Sequence, residues 1–195
     1  MKKQILGLIA AAASAVGIAS AAVEVFVWED GSDLRVQAEG TIDLTGMTPM
    51  GDGAFADGII SIASAGVIGA VDGNLVDRYD IEGSQLPVFG PGNSLFDGVF
   101  SGTNSILIDR TTTAGVLWVS QGFQSGGSIF AAATSMNQSL ASIGANIGVY
   151  VWTLPNDVIT VRIGEAPGSA PVPVPPAMAL FGIGVLALYR KAKRA

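Results

Sequence analysis

Apolar and polar residues alternate with a period of two along most of this chain, the pattern of strands that bury one face. Val23, Val25 and Val27 alternate with Glu24, Phe26 and Trp28, and Leu34, Val36, Ala38, Gly40, Ile42 and Leu44 alternate with Arg35, Gln37, Glu39, Thr41 and Asp43. The same reading predicts strands over 58–64, 66–71, 76–81, 105–109, 115–121, 128–134, 148–154 and 158–163. Turn formers separate them: Asp30-Gly31, Asp52-Gly53, Asp57-Gly58, Asp72-Gly73-Asn74, Gly90-Pro91-Gly92-Asn93 and Asp97-Gly98. Pro155-Asn156 is set to join the last two strands as a tight hairpin, with proline at the second position of the turn. Only 136–143 has helical character, and that stretch is short. Many short strands at this spacing predict an all-β fold, an antiparallel β-sandwich of jelly-roll-like form ahead of a barrel.

The two ends break the pattern. Lys2 and Lys3 precede an apolar run over 5–18, and Ala19-Ser20-Ala21 supplies a small-residue cleavage site before Ala22. Charge, apolar run and small-residue site in that order make a secretory signal peptide, a helix removed by signal peptidase between Ala21 and Ala22. At the other end Pro171, Pro173, Pro175 and Pro176 lead into an apolar run over 177–189, which stops at Arg190, Lys191, Lys193 and Arg194. A basic cluster after an apolar run halts a chain in a membrane with the positive residues on the cytoplasmic side. The run spans only about 20 Å as helix against a hydrocarbon core of roughly 30 Å. Extending it backwards meets Pro173, Pro175 and Pro176, which break a helix interior. Such a segment suits a signal that is read and cut; a short single-pass anchor with a cytoplasmic stub is the alternative.

The tail can be given a family. Val172, Pro173, Val174, Pro175, Pro176 and Ala177, then the apolar run 180–188 and the basic cluster, resemble a PEP-CTERM sorting signal, especially the VPLPA-CTERM variant. The resemblance covers 171–195 and departs from the motif at Val174, where leucine is usual, and at Pro176, where alanine is usual. It implies a Gram-negative source, recognition by an exosortase-type membrane enzyme, cleavage near the proline motif, and delivery to the cell surface or exopolysaccharide matrix. Ser139 through Gly144, then Gly148-Val149-Tyr150-Val151-Trp152, then 158–164 also look like the close of the ectodomain in many PEP-CTERM proteins. Ser101-Gly102, Leu117-Trp118-Val119 and Gly126 fit the same loose pattern. The chain therefore divides into a signal peptide (1–21), a β-sandwich ectodomain (22–165), a proline-rich linker with the sorting motif (166–176), and a short transmembrane helix with its basic tail (177–195).

Charge narrows the function classes. All 16 acidic residues lie between Glu24 and Glu165, where the only basic residues are Arg35, Arg78, Arg110 and Arg162. Four against sixteen leaves the ectodomain at −12 with no lysine. Nucleic acids and anionic membrane surfaces need a positive field, so neither is a partner of this domain. The chain has no cysteine and no histidine, which removes disulfides, thiol chemistry, zinc ribbons and every His-based triad or base. No cofactor is implied.

What remains is oxygen-based chemistry. Asp52 and Asp57 in the tract 51–58 are the best candidates for calcium, which takes six to eight oxygen ligands. Aspartate before glycine is also what β-turns demand, and no EF-hand pattern is present. Paired carboxylates could hydrolyse glycosides if two faced each other across a cleft. Glu29-Asp30 point to opposite faces of a strand, and Asp80-x-Glu82 are merely neighbours. Sugars stack on flat aromatic faces, and Tyr150 and Trp152 share one face of their strand; they form a platform if exposed and core if not. Gly90-x-Gly92 and Gly126-Gly127 lack the lysine and following helix of a phosphate cradle. The expected role is a non-enzymatic component of the envelope, biofilm or exopolysaccharide matrix, with signal peptidase, an exosortase-type enzyme, the membrane and exopolysaccharide as partners. A carbohydrate-binding module is the alternative, and a carboxylate-pair glycoside hydrolase the third.

Overall fold

A computed structural model describes residues 22–54, 57–81, 88–92, 98–110 and 115–168. The expected signal peptide, sorting motif and transmembrane helix, with the basic tail, lie outside these residues. Within them the protein is all-β, and no helix is long and apolar enough to cross a membrane. The strands are β1 (Ala22–Asp30), β2 (Asp33–Thr41), β3 (Thr48–Ala54), β4 (Gly58–Ile62), β5 (Val67–Val71) and β6 (Leu75–Asp80). They continue as β7 (Val99–Gly102), β8 (Ile106–Asp109), β9 (Val116–Ser120), β10 (Ser128–Ser135), β11 (Gly148–Thr153) and β12 (Val158–Ile163). A 3-10 turn, Ala63–Ala65, joins β4 to β5.

The strands form two six-stranded sheets, β11-β12-β1-β2-β10-β7 and β3-β6-β9-β8-β5-β4. Every pairing is antiparallel except one: β1 runs parallel to β12, from Ala22 beside Val158 to Val27 beside Ile163. The purely antiparallel expectation is corrected there, because the last strand returns to lie beside the first. The β1–β2 hairpin closes through Gly31-Ser32, and Gly31 at φ 66° fills the position where a type II′ turn needs positive φ.

Alternation decides what each sheet buries. Val23, Val25, Val27, Leu34, Val36, Ala38, Ile129, Ala131, Ala133, Ile159 and Val161 face inward from the first sheet. Ile68, Ala70, Ile106, Ile108, Leu117 and Val119 meet them from the second in one continuous core. A smaller cluster, Val67, Val71 and Leu107 under Trp118, covers the outer face of the second sheet. The Arg78 guanidinium stacks over Trp118 at 5.3 Å, and a methyl group at Gly53 would overlap its ring.

Four stretches depart from the pattern reading, one of them β7, which no predicted strand covers. β2 stops at Thr41 although Ile42 and Leu44 are buried, because the chain turns there toward the other sheet. The Asp43 carboxylate accepts from the Thr45 amide (2.8 Å) and the Ser125 hydroxyl (2.7 Å), and the Met47 amide donates to the Leu44 carbonyl. β3 holds Pro49, Gly51 and Gly53 and reads as loop, but it is an edge strand with a register shift between Pro49 and Gly51, where proline is tolerated. Residues 136–143 form turns rather than a helix. Ser139 and Ser142 cap each other's amides, and the Ala145 amide to the Leu140 carbonyl with Gly144 to Ala141 closes the turn after one round. Gly144 sits at φ 61°, and a methyl on neighbouring Gly92 would overlap the Ile143 carbonyl. That close crossing holds 88–92 against 143–146, with the Asn146 amide on the Phe89 carbonyl at 2.6 Å, and seats the Phe89 ring in the core.

Candidate functional site

An open polar groove of about 400 Å³ lies at one end of the second sheet, lined by Asp72, Asn74, Leu75, Thr103, Ser120 and Gln121. Its centre is the Asp72-Gly73-Asn74 turn between β5 and β6. The Asn74 amide donates to Asp72 Oδ1 (3.1 Å) and the Asn74 side chain to Oδ2 (3.0 Å), with Gly73 at φ 70° completing the bend. Beneath it the buried Ser105 hydroxyl donates to Asp72 Oδ1 (2.8 Å) and accepts from the Asp72 amide (3.0 Å). The Ser105 amide donates in turn to Ser120 Oγ at 2.7 Å, tying the start of β8 to the end of β9. On the rim, the Gln121 side chain donates to Asp52 Oδ2 (3.3 Å) and the Thr103 hydroxyl to Asn104 Oδ1 (2.9 Å).

Burial pushes the Asp72 carboxyl up, but hydrogen bonds from Asn74, Ser105 and the local backbone outweigh it and hold the group below the usual carboxylate range. At neutral pH Asp72 is therefore an ionised, fixed acceptor rather than a proton donor. The amides of Asn74 and Gln121 and the hydroxyls of Thr103 and Ser120 surround exposed Leu75, offering donors and acceptors beside a small apolar surface. Such a lining suits the hydroxyls of a sugar or other polyol.

A pH dependence follows from the lowered value. A carboxyl held below its unfolded value contributes stability that is complete above the unfolded value and lost as pH falls through the folded one. The urea midpoints of the native protein and Asp72→Asn are expected to differ at neutral pH, with native higher, and to converge only as pH falls below the usual aspartate range. A gap that persisted unchanged in acid would mean the charge of Asp72 contributes nothing.

The remaining expected site residues fall elsewhere. Asp52 lies on β3 at the far rim, and Asp57 lies against Gly73. Among the described residues no group of three or more Asp or Glu side chains gathers that could hold a metal ion. Glu29 accepts from the Leu140 amide (2.8 Å), while Asp30 pairs with Arg35 (2.8 Å); these neighbours serve separate structural contacts. Tyr150 and Trp152 do share a face, but it is the inward one. Trp152 is 1% exposed, and the rings of Tyr150 and Trp152 meet Phe89 edge-on at 5.1 and 5.5 Å. The sugar platform proposed for this pair is corrected accordingly, because the stacking surface is used by the core. Sequence alone flagged only the Asp72 turn; Ser105, Ser120, Thr103 and Gln121 carry no motif and become neighbours through the β5–β8–β9 pairings.

The chain matches no family model, no curated protein and no solved structure.

Proposed function

We propose that this is an exported surface or extracellular-matrix protein whose tail is a PEP-CTERM-like sorting signal. The observation that carries the reading is the order of the last residues: proline motif 172–177, apolar run, then Arg190, Lys191, Lys193 and Arg194. One further feature supports it. The ectodomain carries sixteen acids against four arginines, a charge that keeps an exported domain soluble and dispersed. In this reading a jelly-roll-like β-sandwich acts as a non-enzymatic component of the envelope, biofilm or exopolysaccharide matrix. Signal peptidase and an exosortase-type enzyme mature it, with a transient membrane-held precursor.

Intact mass of each species from the native host, read beside its location, tests this. The expected product lacks 1–21 and a C-terminal piece starting near 173–177, and is found at the surface or released. A membrane-bound species that keeps Arg194 and Ala195, with no shorter form, would overturn the sorting reading. A second reading, carbohydrate binding, is favoured by the hydroxyl-complementary lining of the Asp72 groove. Glycan binding that disappears in Gln121→Ala with the fold intact would establish it.

A further inference from the structure

The two sheets end in four edge strands, and three of them are obstructed. β3 carries Pro49 and a register shift, and the Arg78 guanidinium bonds its Gly51 and Met50 carbonyls. β7 is only four residues long, and β4 packs beside it, with Gly58 pressed against the backbone of Gly98. β11 is different. Its six residues, Gly-Val-Tyr-Val-Trp-Thr, include no charge and no proline, and its register with β12 is continuous. These are devices by which proteins usually block an edge, and among the described residues β11 has none of them.

The register fixes which groups face away from the sheet. The Leu154 amide donates to the Asp157 carbonyl (2.8 Å), which marks that pair as hydrogen-bonded. Bonded pairs recur every second residue, so Trp152 and Tyr150 bond β12, while the amides and carbonyls of Val149, Val151 and Thr153 point off the edge. The side chains of Val149 and Val151 stand on the outer face, 50% and 55% exposed, next to Ile147 at 75%. The nearest charge on that face, Arg162, is held by Glu24 (3.0 Å) and Glu165 (3.5 Å).

We propose that β11 is a homotypic docking edge, pairing antiparallel with β11 of a second copy of this chain. Two copies of a domain at −12 repel over most of their surfaces, so contact between them is confined to an uncharged edge such as this one. The strand is also self-complementary about Val151. Val151 opposes Val151 of the second copy, and Val149 opposes its Thr153, so every outward amide meets an outward carbonyl and the valines form one apolar strip. The two six-stranded sheets then run on as one. A single strand pair buries less than the roughly 1,600 Å² of a standard interface, so the association is weak in dilute solution and fills where copies are crowded. It does not depend on the sorting tail.

Sedimentation of the protein as isolated from its host, from about 10 μM to about 1 mM, reads the equilibrium. The weight-average mass is expected to rise toward the dimer, and Val151→Lys to weaken association at least about tenfold, since an edge lysine blocks strand addition. The protein has no cysteine of its own, so Val151→Cys supplies a second readout. A hydrogen-bonded pair places Cα atoms about 5.5 Å apart, within reach of a short bis-maleimide linker. Such a linker should therefore join Val151→Cys into dimers far faster than Met136→Cys, which is also exposed. A native protein that stays monomeric, association that survives Val151→Lys, or equal cross-linking at both positions would each overturn the proposal.

Discussion

Trp152→Ala is expected to lower the unfolding free energy by about 3–5 kcal/mol, a large part of the roughly 5–15 kcal/mol that holds a domain of this size. The side chain is almost wholly buried, and its loss opens a cavity against Phe89, itself fully buried and packed between Trp152 and Tyr150. Edge-on aromatic pairs add about 0.5–1.5 kcal/mol each beyond the area they bury. Trp152→Phe should cost much less. It keeps a ring against Phe89 and removes the indole N–H, which finds no hydrogen-bond partner among the described residues. Urea unfolding of the three proteins measures both differences. A loss under about 1 kcal/mol for Trp152→Ala would show that the ring is not in the core. The result also governs how glycan data are read: lost sugar binding in Trp152→Ala reports unfolding unless the fold is shown to survive.

The same residue shows where sequence reasoning stops. Alternation along β11 separates Tyr150 and Trp152 from Val149 and Val151, and the structure keeps that separation. It does not say which set turns inward. The aromatic pair does so because Phe89, sixty-three positions before Trp152, is brought between the sheets by the crossing of 88–92 over 143–146. Local pattern sufficed for β12 and for β2 as far as Thr41, strands whose partners lie on both sides and whose inner residues are all aliphatic. It failed for β3, where pairing to β6 imposes a strand on Pro49, Gly51 and Gly53 against their own preferences. The groove was legible only at its turn, since Asp72 is 33 positions from Ser105, and Ser105 is 15 from Ser120. Those contacts exist only once β5, β8 and β9 lie side by side.

On the proposed sorting reading, replacing Pro173, Pro175 and Pro176 together by leucine is expected to convert a trimmed, delivered product into a full-length protein held in the membrane. The change acts twice in the same direction. It removes the motif that resembles the processing site, and it turns 172–189 into an unbroken apolar run of about 27 Å as helix, close to the roughly 30 Å hydrocarbon core. Arg190, Lys191, Lys193 and Arg194 remain to hold the C-terminus on the cytoplasmic side. Intact mass of the membrane and extracellular fractions reads the outcome, and the ectodomain should unfold at the same urea midpoint in both proteins, because the substitutions lie beyond β12. The native tail is too short and too interrupted to be a good anchor, and the variant is neither. If the variant were trimmed and delivered like the native chain, the prolines would be neither a recognition element nor a limit on the span. The case for a sorting signal would then rest on the basic cluster alone, which an ordinary membrane anchor shares.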